Sequence, residues 1–184
     1  MSPESVLDVP PGAAAVPLSV LKVRDDATIE AIRLASAPVA STATVAPALF
    51  PRLAAALAAA QPTFQSTGGL HAAALFDLEG RLLVLREDVG RHNAVDKVVG
   101  HMLRIGNFPL ADCILMVSGR TSFEIMQKAW RARIPIVAAV SAPSSMAVQM
   151  ARAADITLVG FLRGGGFNVY AGTHRVTTAV LEPA

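Results

Sequence analysis

Residues 86–97, REDVGRHNAVDK, hold six charged side chains together with His92 and Asn93. At 16 % charged overall, a stretch of twelve holds about two charges by composition. In a chain dominated by alanine, valine and leucine, such a cluster costs solvation energy unless it is exposed or paired. Two of its three carboxylates, Glu87 and Asp88, lie close to arginines, and His92 follows Arg91 directly. This is the content of a binding or proton-handling site, with His92 as the obvious acid or base.

Three further stretches have matching chemistry: Ser118-Gly119-Arg120-Thr121-Ser122, Ser141-Ala142-Pro143-Ser144-Ser145, and Phe161-Leu162-Arg163-Gly164-Gly165-Gly166. Arginine offers bidentate donors to phosphate, and Ser and Thr hydroxyls add more. Glycine lets backbone approach a ligand closely. Where such a loop runs into a helix N-terminus, free N–H groups and the helix dipole favour an anion. A pyrophosphate-bearing or nucleotide-like ligand would use all of these. Each element also has a plain alternative. Ser118 and Ser144 suit ordinary caps, the glycine run suits a hairpin turn, and Asp88 with Arg91 suits a structural ion pair. Glu124 and Lys128 suit an i,i+4 pair on their helix. His71, in an apolar run, reads as a core histidine, and Cys113, heading a strand, as inert packing.

The elements that must position these loops follow from periodicity. Ala27 to Leu34 suggests a short helix, and Ser36 to Thr44 a connection. Ala46 to Ala60 reads as a helix with Leu49, Leu53 and Leu57 on one face, closed by Pro62. Leu70–Phe76 and Arg81–Leu85 form a hairpin around Asp77-Leu78-Glu79-Gly80. Asn93 is the expected N-cap of a helix that has Asp96 in its first turn and Gly106 as its stop. Strands are expected over Cys113–Val117, Ile134–Val140 and Ile156–Leu162, with a last short one at Phe167–Tyr170. A capping box at Thr121-Ser122-Phe123-Glu124 starts the helix after the first of these, and Ser144 or Ser145 caps the helix after the second. Alternating strands and helices imply a largely parallel sheet, made mixed by the opening hairpin: a three-layer α/β/α sandwich. In such sheets ligands bind beyond the carboxyl ends of the strands, where all four polar loops fall. The opposite ends, such as Gly106-Asn107-Phe108-Pro109, are plain connectors.

Composition narrows the function. The chain of 184 residues supports one compact domain. Its mean hydropathy of +0.48 is high, yet charge, Gly or Pro interrupts every long apolar run, so no transmembrane helix is expected. The N-terminal residues carry Glu4 and Asp8 and no early Lys or Arg, unlike a secretory signal, which makes a cytoplasmic setting the simplest expectation. Residues 1–26, rich in proline, read as a flexible arm before a domain spanning 27–184. One cysteine excludes a disulfide framework or a Cys-rich zinc site within the chain. A net charge of +2, no Lys/Arg run and 5 % aromatics leave a nucleic-acid surface without support.

Five blocks, TGGLHAAALF (67–76), REDVGRHNAVDKVVG (86–100), SGRTSFEIMQKA (118–129), IPIVAAVSAPSSMAV (134–148) and TLVGFLRGGGFNVY (157–170), closely resemble the formate dehydrogenase accessory sulfurtransferase family, FdhD/NarQ. The resemblance is ordered and covers about residues 27–175. It implies a cytidine-deaminase-like fold, a homodimer, and transfer of sulfur from a cysteine desulfurase to the molybdenum cofactor of formate dehydrogenase. It also implies binding of that cofactor, Mo-bis(molybdopterin guanine dinucleotide), with the segment Phe161, Leu162, Arg163, Gly164, Gly165, Gly166 assigned to it. Arg91, His92, Ser118, Gly119, Arg120, Thr121, Ser122, Ser141 and Ser144 join that site through the loops they occupy, and Asp88 would orient Arg91 or His92. Deaminase chemistry does not carry over, because His71 is followed by two alanines and a zinc deaminase needs H-x-E and a paired cysteine motif.

One departure from the family has consequences. Its persulfide is carried on a C-x-x-C motif upstream of the segment resembling residues 27–32, and here Ser19 to Asp26 contains no cysteine. A persulfide relay needs an exposed, activated thiolate. Two expectations therefore stand side by side: a sulfuration factor whose cofactor-binding part is present and whose sulfur-carrying cysteines are not, or a non-catalytic module that binds the cofactor or its target enzyme. An unrelated nucleotide-using enzyme with His92 as acid or base is a third.

Overall fold

The protein is described by a computed structural model over residues 36–163 and 166–177. The expected helix at 27–34 and the arm at 1–26 lie outside the described residues. The chain forms α1 (Leu49–Ala59), α2 (Pro62–Thr67), β1 (His71–Asp77), β2 (Leu82–Asp88), α3 (Arg91–Arg104), β3 (Cys113–Val117), α4 (Phe123–Arg131), β4 (Ile136–Ala139), α5 (Ser145–Ala154), β5 (Thr157–Arg163) and β6 (Gly166–Ala171), then a single 3₁₀ turn, Thr173–Arg175. No helix among the described residues is long and apolar enough to cross a membrane.

One six-stranded sheet, in the order β2-β1-β3-β4-β5-β6, carries the fold. Only β3–β4 and β4–β5 are parallel; β1 pairs antiparallel with both β2 and β3, and β6 antiparallel with β5. The sheet is therefore mixed, as expected, but its parallel part is confined to three central strands rather than dominating. Only strands joined by a helix crossover in the β3–β4–β5 run pair in parallel. β1 is joined to β2 by a tight turn, which reverses direction, and β6 runs antiparallel to β5.

Both faces of the sheet are covered, which is why β3 and β4 are continuous apolar runs with no exposed residue. On one face Leu75, Leu115, Val137 and Leu158 pack against α3, α4 and α5. On the other, Phe76, Ile114, Ile136 and Val159 pack against α1, through the predicted Leu49, Leu53 and Leu57 together with Phe50. Pro62 does more than end α1. It occupies the first turn of α2, where its missing N–H costs nothing. Helix α4 buries Ile125, Gln127 and Ala129 besides the expected Phe123, Met126 and Trp130, because it is wedged between α3 and α5.

Gly106 stops α3 as expected. It takes φ 75°, its N–H bonds Leu103 C=O at 3.1 Å, and Asn107 N–H bonds Met102 C=O at 3.0 Å, a Schellman closure. At the end of the sheet where β3, β4 and β5 begin, a buried arginine fastens distant segments. Arg175, 2 % exposed, donates to Asp155 Oδ2 at 2.7 Å, Asp155 C=O at 2.8 Å and Val39 C=O at 3.2 Å. Beside it Val45 bridges Val176, and Trp130 Nε1 donates to Ala37 C=O at 2.8 Å.

Candidate functional site

The site occupies the opposite end of the sheet. β2, β3, β4 and β5 all finish there, and antiparallel β1 starts there, with His71 opposite Asp88 and Ala73 opposite Val117. Three of the four loops are tied side by side by backbone, and the first of these three is tied to β1. Ser118 N–H bonds Ala72 C=O at 3.0 Å, Thr121 N–H bonds Ala142 C=O at 3.3 Å, Ser144 N–H bonds Thr121 C=O at 3.0 Å, and Phe161 N–H bonds Ser141 C=O at 3.3 Å. Gly160 permits the last contact: a Cβ there would lie 3.0 Å from Pro143 Cδ and 3.2 Å from Ser141 O. The result is a continuous ledge from α3 to β5, lined by the N-termini of α3, α4 and α5.

The REDVGRHN cluster is divided by this geometry. Arg86, Glu87 and Asp88 belong to β2, and α3 starts at Arg91 with Gly90 as its N-cap, so Asn93 is the third helical residue and Asp96 lies beyond the first turn. Asn93 Nδ2 reaches back to Asp88 Oδ1 at 3.1 Å, and the same oxygen accepts Gly90 N–H at 2.9 Å. That Asx-type turn outcompetes the Asn cap. Asp88 does not orient Arg91 or His92. Its ionic partner is Lys97, at 2.5 Å, and Lys97 with the Gly90 and Asn93 donors brings its pKa down to about 2. Glu87 points away from the ledge and caps α2, accepting Phe64 N–H at 2.7 Å and Thr63 N–H at 3.1 Å.

Ser122, not Thr121, is the N-cap of α4, and its hydroxyl makes no capping bond. Instead Ser122 Oγ lies 2.8 Å from His92 Nε2, joining the N-termini of α3 and α4. Burial lowers the pKa of His92, Arg91 beside it lowers it further, and Glu124, with Oε2 at 3.9 Å from Nε2, opposes them. Glu124 and Lys128 do not pair along their helix: Lys128 pairs with Asp96 of α3 and donates to His92 C=O at 3.4 Å. Glu124 is held low in pKa by its own backbone N–H, against burial, and by the Ser122 hydroxyl, His92 and Arg91.

Of the remaining expected residues, Ser118 and Ser144 have structural tasks. Ser118 Oγ accepts Ala72 N–H at 2.8 Å, and Ser144 Oγ caps α5 through Ala147 N–H at 3.1 Å. Ser141 contributes its carbonyl to Phe161. Arg91, Arg120 and Arg163 make no ion pair among the described residues. Two polar atoms at the ledge are buried without a partner, Arg91 Nε and Thr121 Oγ1. Phe161 lies in the left-handed region at φ 56°, where a bulky residue is strained. Its ring carries the Arg163 guanidinium 5.5 Å from the centroid. Leu162 is buried, Gly166 opens β6, and Gly164 and Gly165 lie outside the described residues.

His71 is the site residue that sequence reasoning placed wrongly. It lies at the start of β1, half-buried, and a Cβ on Gly119 would lie 3.3 Å from its Nδ1 and 3.7 Å from Arg91 Cδ. The available signal was the hairpin: if β2 ends at the site, its antiparallel partner must begin there. Cys113 is at the far end, buried, with its thiol pushed up to about 11 by burial and by Asp112 and Asp77. Among the described residues, no group of three or more His, Cys, Asp or Glu could hold a metal ion.

The model of the FdhD/NarQ family matches residues 22–177. The chain belongs to the FdhD/NarQ family. It is 63 % identical over 120 residues to the sulfur carrier protein FdhD of Streptomyces avermitilis, a match spanning 65 % of this chain and 43 % of that protein. It is 54 % identical over 153 residues to the Streptomyces coelicolor protein of the same name, spanning 82 % and 54 %. This FdhD/NarQ chain therefore spans about half the length of the curated relatives it matches. A crystal structure described as a formate dehydrogenase accessory protein from Desulfotalea psychrophila superimposes with a TM-score of 0.70 at 31 % identity, covering 77 % of this chain and 62 % of that one.

Proposed function

We propose that the ledge is the nucleotide-binding part of a factor for sulfuration of the molybdenum cofactor of formate dehydrogenase, Mo-bis(molybdopterin guanine dinucleotide). The observation that carries this reading is the pair of buried atoms, Arg91 Nε and Thr121 Oγ1, that have no partner among the described residues, set among helix N-termini and three arginines that make no ion pair among those residues. Buried polar groups are normally satisfied, and an oxyanion ligand would satisfy a donor from each. Arg91, Arg120 and Arg163 supply charge, and the amides of 118–122 and 141–145 supply fixed donors. The cofactor is cargo here, with its molybdenum as the sulfur acceptor. The chain's residues bind and orient its nucleotide end.

The names of the relatives, sulfur carrier and formate dehydrogenase accessory proteins, support this general role. In this reading a cysteine desulfurase supplies the sulfur, formate dehydrogenase is the target, and the protein works as a cytoplasmic homodimer. A second reading, a binding module that holds the cofactor or docks on its target without carrying sulfur, is favoured by Cys113. It is the only cysteine in the chain, and it is buried with a thiol pKa of about 11.

Two experiments test these readings. Calorimetry with GDP, as a fragment of the cofactor, gives saturable binding that Arg163→Ala and Arg91→Ala weaken; no binding, or binding indifferent to both, refutes the site. Incubation with a cysteine desulfurase and cysteine, followed by mass spectrometry, leaves Cys113 unmodified. A persulfide on Cys113 would overturn the account of that residue.

A further inference from the structure

We propose that His92 is a positioning residue for the ledge: it holds the Ser122 hydroxyl away from the helix it would otherwise cap, and so keeps the N-terminus of α4 open to an oxyanion. The proposal rests on the ledge being an oxyanion site. Two of the helices that start at the ledge, α4 and α5, follow a serine N-cap in extended backbone, at φ −96°, ψ 169° for Ser122 and φ −76°, ψ 159° for Ser144. Ser144 does what serine ordinarily does there, its Oγ accepting Ala147 N–H three residues on at 3.1 Å. The equivalent donor of α4 is Ile125 N–H, and Ser122 gives it no side-chain cap. The two serines share a backbone conformation and differ in a neighbour. Ser122 Oγ lies 2.8 Å from His92 Nε2, on the first turn of α3, and Ser144 has no counterpart to that contact among the described residues.

An uncapped helix start keeps its free amides and the positive end of its dipole for an anion, whereas a capping oxygen lays partial negative charge across them. The residues on either side point to a ligand here. Thr121, immediately before Ser122, is 1 % exposed, and its Oγ1 has no partner among the described residues. Arg91 Nε, next to His92, is also buried without a partner among them. His92 is itself held from both helices: its C=O accepts Lys128 Nζ of α4 at 3.4 Å, and Lys128 pairs with Asp96 one turn further along α3. Its ring is thus fixed where it meets the serine. Glu124, in the same turn of α4, also meets the Ser122 hydroxyl and lies 3.9 Å from His92 Nε2. It is common to every variant compared, so its charge cancels.

The test is a double-mutant cycle read by calorimetric titration of the full chain with inorganic pyrophosphate. His92→Ala frees the hydroxyl to cap α4, and affinity falls about fivefold, the size of a helix-dipole contribution. In a Ser122→Ala background there is no hydroxyl to release, so the same His92→Ala step costs less than about twofold. Equal losses in the two backgrounds mean that His92 acts on the ligand directly, and overturn the proposal. So does an affinity indifferent to His92→Ala, which would leave Glu124 holding the serine. His92→Gln, whose amide reaches the place of Nε2, keeps the serine and stays within about twofold of the native protein. A loss as large as that of His92→Ala overturns the proposal. Where His92→Ala does not fold, His92→Phe keeps a ring, removes the bond and replaces it in the cycle. Amide exchange reads the cap itself: Ile125 N–H exchanges more slowly in His92→Ala than in the native protein, because it has gained an acceptor, and unchanged exchange overturns the proposal. Failure of pyrophosphate to bind the native protein refutes the oxyanion site, and the proposal with it.

Discussion

Gly160→Ala tests whether the ledge depends on close backbone approach. No unusual φ is involved, so the added methyl acts only through space. It would lie 3.0 Å from Pro143 Cδ, 3.1 Å from Tyr170 Cε2 and 3.2 Å from Ser141 O. Van der Waals contact is about 3.5–4.0 Å between carbons, so three neighbours must retreat, and one of them is backbone held by Phe161 N–H. Overpacking of this kind costs about 1–3 kcal/mol. For a domain of this size that lowers Tm by roughly 2–4 °C for each kcal/mol. Gly100→Ala is the internal control. It lies inside α3 with nothing within 4 Å of the new methyl, and removing a helical glycine stabilises by about 0.5–1 kcal/mol. The same chemical change therefore moves stability in opposite directions at two sites. Urea unfolding with an unchanged m-value measures both, and pyrophosphate titration reports the ledge. Gly160→Ala should lose affinity beyond its loss of stability, because the 141–145 loop is displaced. Equal stability of the two variants, or an unaltered pyrophosphate affinity in Gly160→Ala, would refute the close-packing account.

Further outcomes follow from other contacts. The lowered pKa of His92 means the unfolded chain takes its proton first as pH falls below the ordinary value of 6.5, so native stability from this group is present above that pH and lost below it. Sulfate, which does not titrate in this range, should by the same linkage bind more tightly from pH 7.5 to 5.5, and the gain should vanish in His92→Gln. Arg175→Met should cost about 3 kcal/mol in urea unfolding, since buried carbonyls of Asp155 and Val39 lose a charged donor. Cys113 should resist a thiol reagent at pH 8 in the native protein and react at once in guanidinium, because it is buried and its thiol is raised to about 11.

The layers and the site edge were legible because their signals are periodic or repeated. Leu49, Leu53 and Leu57 share a face by spacing alone, Cys113–Val117 is a buried run, and loops following successive parallel strands must gather at one end. What escaped reading was settled by competition between groups close in space and distant in sequence. Asn93 could cap a helix or brace Asp88, and the nearby Gly90 N–H and Lys97 decided for Asp88. Lys128 could pair with Glu124 four residues earlier or with Asp96 on another helix, and wedging of α4 against α3 chose Asp96. Strand direction was underdetermined for the same reason, since nothing local marks β1 as reversed except its hairpin, and that reversal brought His71 to the ledge. Ser122, by contrast, was placed on the ledge from its loop, but its bond to His92 crosses 30 residues and has no local signature.

The Arg175 fastening and the Val45–Val176 bridge bring both ends of the described chain to the floor of the sheet, opposite the ledge. A strand of seven residues, such as β5, separates floor from ledge by roughly 20 Å at about 3.3 Å per residue. Anything tethered before residue 45 or after residue 176 thus starts at the wrong end of the molecule for the ligand. To reach the ledge it must span at least about six fully extended residues up one flank. A flexible tether would need more, since its mean reach grows only as about 5–6 Å times the square root of its length, or roughly a dozen residues. A sulfur-bearing group delivered along such a tether would have its encounter with the ledge set by tether length, a variable that can be lengthened or cut without touching the site.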